Sequence, residues 1–310
     1  MQRIIPKIKR YYQFSEYLKE RFGCKVYKVT IDAGFTCPNR DGSLGWGGCS
    51  YCNNLGFSAN TRLSPRPIRE QVEQGMAFMR ERYKADKFIA YFQAYTNTYA
   101  PIETLRAYYD EALAFEDIVG LSIGTRPDCV PEPVLDLIEN YQAATREVWV
   151  EYGLQSIHDS TLKRVNRGHD YAAFLDALER TGRRSLKVCV HVILGLPGES
   201  HDDMMATARA LAQMDIDSVK IHLMHVLRDT PMEKELLEGR FKTLEFEEYV
   251  SLVCDFLEYI PSHISIQRLT ADGPRAVLLA PTWATQKRKI IAAIDAELER
   301  RNSHQGIKAE

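Results

Sequence analysis

Short apolar runs alternate with longer helical patterns through the first 225 residues, and this alternation restricts the possible folds more than any other feature. The runs are rich in valine, isoleucine and aromatic residues and end at turn residues, which is typical of buried strands. The predicted strands lie near 25–32, 87–93, 118–124, 147–154, 187–194 and 217–223. The predicted helices lie near 66–83, 101–114, 131–142, 159–182 and 201–214, and Gly182 is expected to cap the fourth.

Repeated strand–helix units predict a parallel sheet with right-handed crossovers and helices on its outer side. Six units fit an α/β fold of the partial (β/α)6 TIM-type barrel kind, although a doubly wound sheet remains open on this pattern alone. After residue 225 the pattern loosens into a helix near 244–259, a strand near 263–268 and a helix near 284–301. We therefore expect a barrel over 25–225, an N-terminal segment over 1–24 and a C-terminal helical and strand extension over 226–310 packed on the barrel.

The composition is that of an ordinary globular protein, with 45% hydrophobic and 26% charged residues and a net charge of -2. No apolar run reaches the ~18 residues that a membrane span needs. The N-terminus lacks the apolar core of a secretory signal. We expect a cytoplasmic protein that does not contact a membrane.

The first 28 residues combine eight Lys/Arg with only two acids and six interleaved aromatic residues. Basic and aromatic side chains together can bind nucleic acid, through phosphates and base stacking. The alternative is an amphipathic helix that packs on the domain through its aromatic residues, and the composition alone favours this second interpretation.

Three of the seven cysteines cluster, in the order Cys37-x11-Cys49-x2-Cys52. An odd count in an expected cytosolic protein argues against disulfides. The cluster follows the first predicted strand, and in a barrel that loop lies at the C-terminal mouth, where such folds carry out their chemistry. Four glycines between Cys37 and Cys49 allow the loop to fold tightly around a bulky group.

Three thiolates suit a soft metal centre, and a cubane iron–sulfur cluster normally takes four. Three ligands would leave one iron open to chelate a small molecule, and S-adenosylmethionine, with its amino and carboxylate groups, fits that role. The alternative is a zinc-dependent RNA-binding module. Structural zinc usually has four Cys/His ligands, and the nearest histidine, His158, is more than 100 residues away.

The segment CPNRDGSLGWGGCSYCNN resembles the radical S-adenosylmethionine (radical SAM) superfamily in the wide-spaced form of the Elongator catalytic subunit. More closely, it is similar to the bacterial YhcC-like (YtqA-like) radical enzymes, and the likeness extends through RLTADGPRAVLLAPTWATQKRK near the C-terminus. The resemblance implies a [4Fe-4S] cluster held by Cys37, Cys49 and Cys52. It also implies reductive cleavage of S-adenosylmethionine to methionine and a 5′-deoxyadenosyl radical.

The same resemblance implies which other residues contact S-adenosylmethionine. Tyr51 occupies the position of an aromatic residue beside the adenine, and Leu196 lies in the backbone stretch near it. Gln93, Thr96 and Asn97 occupy the segment where relatives carry a glycine-rich turn for the methionine amino group.

The resemblance further implies that Gln155 and Arg167 contact the ribose and carboxylate of S-adenosylmethionine. His191 stands where the porphyrin relatives have an aspartate and the Elongator relatives a histidine. Gly124 replaces an acid of the Elongator group, so no carboxylate contact is expected there.

The resemblance also bears on substrate and partners. It suggests RNA modification, at the wobble uridine of tRNA, and a small molecule bound in the barrel is the second hypothesis. A reductant protein, flavodoxin or ferredoxin, is implied as a partner. The chain lacks the acetyltransferase domain of the Elongator subunit, and its sequence predicts neither a catalytic residue nor an oligomeric state.

Overall fold

Seven parallel strands form the central sheet, and their order follows the chain from one edge to the other. The computed structural model describes residues 9–53, 66–143, 146–270, 273 and 275–309. The sheet contains β1 (Val26–Ile31), β2 (Lys87–Phe92), β3 (Ile118–Thr125), β4 (Glu147–Gln155), β5 (Lys187–Leu194), β6 (Ser218–Leu223) and β8 (Ser265–Arg268), while β7 (Val226–Leu227) and β9 (Leu278–Ala280) form a separate antiparallel ribbon. A strand order without a reversal point rules out the doubly wound alternative.

The sheet curls so that its two edge strands approach each other. Lys28 on β1 donates from Nζ to Oε1 of Gln267 on β8 over 2.6 Å. Gln13 forms a parallel bridge with Ile266, also on β8. The architecture is therefore the predicted partial barrel, with a seventh strand contributed by the segment that follows residue 225.

Helices pack on the outer face of the sheet and enclose the main hydrophobic core between the two layers. They are α1 (Phe14–Phe22), α2 (Ile68–Tyr83), α3 (Ile102–Leu113), α4 (Glu132–Glu139), α5 (Asp159–Arg164), α6 (Tyr171–Gly182), α7 (His201–Ala212), α8 (Pro231–Leu237), α9 (Phe246–Tyr259) and α10 (Lys287–Arg300). None of the described helices is both long and apolar enough to cross a bilayer.

The helix predicted over 159–182 is wrong as a single element, because the chain forms α5 and α6 with a break between them. Asn166 and Gly168 adopt left-handed backbone conformations, with φ of 51° and 77°, which no helix can contain. Gly182 ends this helical segment as predicted, but Arg183 occupies the C-cap position expected for Gly182. Gly182 is the last residue of α6, and Arg183 after it keeps a right-handed φ of -73°.

Helix α1 closes the lower end of the barrel, where the strands begin. Phe14 and Leu18 are buried with Trp149, and the rings of Phe14 and Tyr17 meet the Trp149 ring edge-on at 5.1 and 5.6 Å. For the described residues this confirms the amphipathic-helix interpretation of the basic aromatic segment. Its central aromatic side chains are used for packing and are not available for base stacking.

Candidate functional site

The three clustered cysteines line one cavity at the carboxyl ends of the barrel strands. The cavity opens at the mouth of the barrel and measures about 1140 Å³ with the open space at its mouth included. Cys37 and Cys52 are half-buried and Cys49 is buried. The segment 37–52, called here the cysteine loop, therefore lies where the sequence predicts the site.

The cysteine loop is held in place by the break between α5 and α6. Asn39 donates from Nδ2 to the carbonyl of Asn166 over 2.6 Å, and Asn166 donates back from Nδ2 to the carbonyl of Gly48 over 2.8 Å. The backbone amide of Ser50 donates to the carbonyl of Val165 over 2.9 Å. The break in the predicted helix at residue 166 thus marks the segment that positions the cysteine loop.

Arg167 places a buried guanidinium beside the cysteines. Its Nη1 lies 3.6 Å from Sγ of Cys49, and its Nη2 donates to the carbonyl of Gly153 over 2.7 Å. Both neighbouring glycines are required by this arrangement. A Cβ at Gly153 would lie 2.7 Å from Nη2 of Arg167, and Gly168 combines a positive φ with a side-chain oxygen of Asn39 3.0 Å from where its Cβ would be.

The spacing of the cysteine thiols fits a multinuclear centre better than a single ion. One zinc ion with Zn–S bonds of about 2.3 Å holds its sulfur ligands within about 4 Å of one another. Among the described His, Cys, Asp and Glu side chains, only Glu151, Cys189 and His191 bring ligand atoms all within 4.8 Å of one another. Burial, and then the neighbouring Cys49, raises the pKa of Cys52 to about 12, so a bound cation is needed to hold the Cys52 thiol as a thiolate.

Most of the predicted cofactor residues line the same cavity as the cysteines. They are Tyr51, Gln93, Thr96, Gln155, Arg167 and His191. Two of them present buried oxygen atoms without a hydrogen-bond partner, Oη of Tyr51 and Oγ1 of Thr96. Buried polar atoms without partners are rare and mark places where a ligand can supply the missing contact.

Asn97 and Leu196 do not line the cavity. Asn97 donates from Nδ2 to the carbonyls of Gly124 and Phe92, at 2.7 and 3.2 Å, so it braces the turn that carries Thr96. Leu196 packs in the small apolar cluster that also contains Cys49 and Tyr51. Both residues support the cavity wall from behind.

Gln155, at the end of β4, has a strained backbone. Its φ is +79°, and the pairing of β4 with β5 shifts register at this point. A non-glycine residue in this region costs on the order of 1–3 kcal/mol and persists where the surroundings fix it. The shift coincides with the Gly153 carbonyl that binds Arg167, which ties the distortion to the site.

The interior of the barrel contains a charged cluster that the sequence analysis missed. Glu151 on β4 is fully buried and forms ion pairs with Lys28 and Lys220, and its Oε2 lies 2.7 Å from Nε2 of His191. Nζ of Lys220 also lies 3.0 Å from the Tyr91 hydroxyl. A charged residue in the middle of an otherwise apolar strand, as in VWVEYGL and SVKIHL, was the available signal.

Burial and the paired charges set the protonation of this cluster. Burial alone would raise the pKa of Glu151, but the ammonium groups of Lys220 and Lys28 outweigh it and hold that pKa well below its ordinary value. Burial lowers the pKa of Lys220 to about 8 although Glu151 opposes the shift. Burial, and then the charge of Lys220, lowers the pKa of His191 to about 4. Glu151 is therefore a carboxylate already neutralised by ammonium groups, which makes it a poor ligand for a metal ion.

Strand pairing brings several basic side chains together in another part of the cavity, away from the cysteines. Lys220 on β6 pairs with His191 on β5 and with Arg268 on β8, and His222 follows Lys220 by two residues on the same face. All of them line the cavity. We call Lys220, His222 and Arg268 the basic wall, and Cys37, Cys49, Cys52 and Arg167 the cysteine wall.

The comparison with protein families assigns the chain. The model of the radical SAM superfamily matches residues 37–211, more than half of the chain, and that of the radical SAM C-terminal domain matches 216–300. The chain belongs to the radical SAM superfamily. Enzymes of this superfamily use a [4Fe-4S] cluster and S-adenosylmethionine, so this protein is an enzyme with those cofactors, and the zinc-dependent alternative is set aside.

Individual relatives confirm the predicted resemblance to the YhcC-like group. YtqA of Bacillus subtilis is 43% identical over 298 residues, covering 96% of this chain and 92% of YtqA. YhcC of Escherichia coli is 40% identical over 270 residues, covering 87% of this chain and 86% of YhcC. A tRNA uridine(34) acetyltransferase of Dehalococcoides mccartyi is 29% identical over 165 residues, 52% of this chain and 35% of that enzyme.

A solved structure confirms the fold. The archaeal Elp3 of Methanocaldococcus infernus superposes with a TM-score of 0.68 at 19% sequence identity, covering 90% of this chain and 64% of that chain. The partial-barrel fold is therefore shared with that protein. At this level of identity the likeness concerns architecture.

Proposed function

We propose that Cys37, Cys49 and Cys52 bind the [4Fe-4S] cluster and leave one iron open for S-adenosylmethionine. The three thiols share one cavity, and their sulfur atoms do not all lie within 4.8 Å of one another, which favours a cluster over a single tetrahedral ion as the group that they bind. When bound, the cluster and S-adenosylmethionine together supply reductive cleavage to methionine and a 5′-deoxyadenosyl radical. The cysteine loop orients these groups and screens them from water.

The remaining cavity residues serve S-adenosylmethionine in this proposal. Arg167 offers a buried cation for the carboxylate, and Thr96 offers an unpartnered hydroxyl at the turn after β2. Gln155 at the end of β4 and His191 within β5 offer hydrogen bonds, and Tyr51 and Gln93 line the same cavity. Asn97 and Leu196 are positioning residues that fix the backbone of this pocket.

We further propose that the substrate is RNA, with the wobble uridine of tRNA as the candidate. The similarity to the tRNA uridine(34) acetyltransferase is the observation that carries this proposal. The cavity lining supports it, because the half-buried Arg40 of the cysteine loop adds a positive charge there and Glu151 is the only acid among the described residues of the lining. Trp46, on the cysteine loop, is 77% exposed and can stack on a base. Since α1 buries its aromatic residues, the cysteine loop is the better candidate for RNA contact.

The test is a nucleoside profile of tRNA from cells that lack the protein. We expect one modified nucleoside to disappear and its precursor to accumulate. Wild-type protein should restore the profile, and Cys49→Ala should not. An unchanged profile would favour the small-molecule substrate over RNA.

A second test addresses RNA binding directly. The purified protein should retain tRNA on a filter, with an affinity that falls as salt rises. Trp46→Ala should weaken retention by about 10-fold, since a stacked base contributes about 1–3 kcal/mol. The Phe78→Ala variant, which removes another exposed aromatic side chain near the C-terminal end of α2, is the matched control.

A reductant protein, flavodoxin or ferredoxin, and a cytoplasmic location complete the proposal. The cluster has to receive an electron from such a donor, and both donors are proteins of the cytoplasm. Two measurements distinguish the donors: cross-linking of the purified enzyme to flavodoxin or to ferredoxin, and the rate at which each reduced donor reduces the cluster.

A further inference from the structure

The basic wall carries more positive charge than its neighbours neutralise. Glu151 is already shared by Lys28 and Lys220. Arg268, the last residue of β8, adds a guanidinium that forms no ion pair with any carboxylate of the described residues. Lys220 and Arg268 in the cavity lining and Lys28 behind it therefore share a single carboxylate, Glu151, and the excess positive charge in this buried site favours a bound anion.

His222 gives independent evidence for a missing partner. Its Nε2 atom is buried and has no hydrogen-bond partner. Burial, followed by the charges of Arg268 and Lys220, holds the pKa of His222 well below its ordinary value. The imidazole is therefore neutral, and it faces the cavity with a polar atom that an external group can satisfy.

The basic wall is separate from the proposed site for the cofactor carboxylate. That site is Arg167, which is bound to the carbonyl of Gly153 and lies beside Cys49. Lys220 and Arg268 belong to the last two strands of the sheet and are paired with each other in register. Lys220 is only 5% exposed, so a phosphate on the backbone of an RNA held outside the mouth would not reach it.

We propose that Lys220, His222 and Arg268 form an anion subsite that binds an ionised acid group, carboxylate or phosphate, on the unit that reacts. This rests on the proposed function, since it assigns the substrate of that same cavity. The planar guanidinium can pair with two oxygens of such a group. The ammonium group of Lys220 and an N–H of His222 can supply further contacts to it. Such a subsite would favour a substrate whose reacting unit, a nucleobase or a small molecule inside the barrel, already carries an ionised acid group.

The direct test uses reconstituted holoenzyme saturated with S-adenosylmethionine, with inorganic phosphate and acetate as probes. Thermal midpoints are measured against probe concentration at constant ionic strength, with chloride as the reference anion. We expect a saturable rise with one probe in the wild type, and the probe that acts identifies the acid. Arg268→Gln should remove the rise, and without probe it should unfold at a higher temperature than wild type because an uncompensated cation is gone.

Two further variants make the result unambiguous. Arg268→Lys should keep part of the rise, and the exposed Arg228→Gln should keep all of it. All variants should retain wild-type iron content and S-adenosylmethionine binding. No saturable rise in the wild type, or an equal rise in Arg268→Gln, would overturn the subsite.

The compound that accumulates in cells whose only copy of the protein carries Arg268→Gln shows whether the acid group belongs to a tRNA nucleoside or to a small molecule. A tRNA nucleoside with an ionisable acid would support both the subsite and RNA modification. A neutral nucleoside would overturn the subsite and leave RNA modification intact. Accumulation of a small acidic metabolite with unchanged tRNA would support the subsite and overturn the RNA proposal.

Discussion

The cysteine wall and the basic wall line the same cavity but are built in different ways. The cysteine wall comes from two loops, the cysteine loop and the break between α5 and α6, which are joined by hydrogen bonds of Asn39 and Asn166. The basic wall comes from strand interiors, and its residues meet only because β5, β6 and β8 are paired in register. The first is a sequence motif, whereas the second exists only after the sheet has formed.

This difference indicates which parts of the site can change independently. The cysteine loop is a short continuous segment, so its sequence can stay the same while the rest of the barrel changes. Inward-facing positions on the last strands can change without disturbing that loop. We infer that the cofactor reaction is fixed by the cysteine wall and substrate choice by the basic wall.

The largest effect is expected from Cys49→Ala, which removes a proposed ligand from the cysteine wall. Iron content should fall to background after anaerobic reconstitution, and S-adenosylmethionine cleavage should become undetectable, while the circular dichroism of the barrel is unchanged. Cys24→Ala, a half-buried cysteine outside the loop, is the matched control and should keep its iron. Cleavage at the wild-type rate by Cys49→Ala would refute the ligand assignment.

Glu151→Gln removes the buried carboxylate that pairs with Lys220 of the basic wall. Among these variants we expect it to lower the free energy of unfolding the most. The substitution keeps the shape but leaves Lys28 and Lys220 buried without a carboxylate, and breaking a buried ion pair costs about 3–5 kcal/mol. Equilibrium denaturation at pH 7 measures the loss. Glu132→Gln, which removes a surface carboxylate paired with Arg184, should lose less than about 1 kcal/mol. Equal losses in the two variants would mean that the buried cluster is not maintained in solution.

Arg167→Gln separates cofactor binding from cluster assembly within the cysteine wall. A charged hydrogen bond contributes about 1.5–3 kcal/mol, so we expect the dissociation constant of S-adenosylmethionine to rise about 10- to 100-fold. Glutamine can still donate to the Gly153 carbonyl, so iron content should stay at the wild-type level. Isothermal titration measures the affinity, with the exposed Arg183→Gln as control. An unchanged affinity would remove Arg167 from the cofactor site.

The sequence predicts one wall of the site far better than the other. All six barrel strands lie within one or two residues of their predicted bounds, because continuous apolar runs between turn residues leave few alternatives. The cysteines are identified by spacing alone. The fused helix over 159–182 is missed because left-handed residues such as Asn166 respond to contacts with the cysteine loop, which lies over 100 positions away in sequence.

The basic wall could not be predicted as a group, although the charge of Lys220 within the apolar run SVKIHL is a local signal. The sequence does not show that the register of β6 places Lys220 against Glu151 and Arg268. Arg268 is separated from Lys220 by almost fifty residues and two helices. Pairing of this kind depends on which strand closes the sheet, and a single sequence does not specify that.

The smallest effect concerns His191, which borders both walls and is hydrogen-bonded to Glu151. Its folded pKa of about 4 lies below the unfolded value near 6.5, so the unfolded chain binds the extra proton first as pH falls. Its contribution to stability is complete above pH 6.5 and is lost as pH drops toward 4, with a slope of at most about 1.4 kcal/mol per pH unit. Glu151 raises this pKa, while Lys220, Lys28 and burial lower it.

His191→Gln cannot take up that proton, so the fall in unfolding free energy between pH 6.5 and 5 should be shallower than in the wild type. The remaining slope comes from other buried groups, including His169, whose pKa burial and Arg167 lower to about 3. Denaturant titrations at half-unit pH steps measure both slopes. If the two slopes coincide, folding does not lower the pKa of His191, and His191 takes up its proton in the folded protein as readily as in the unfolded chain. The positive charge of the basic wall would then not extend to its border with the cysteine wall.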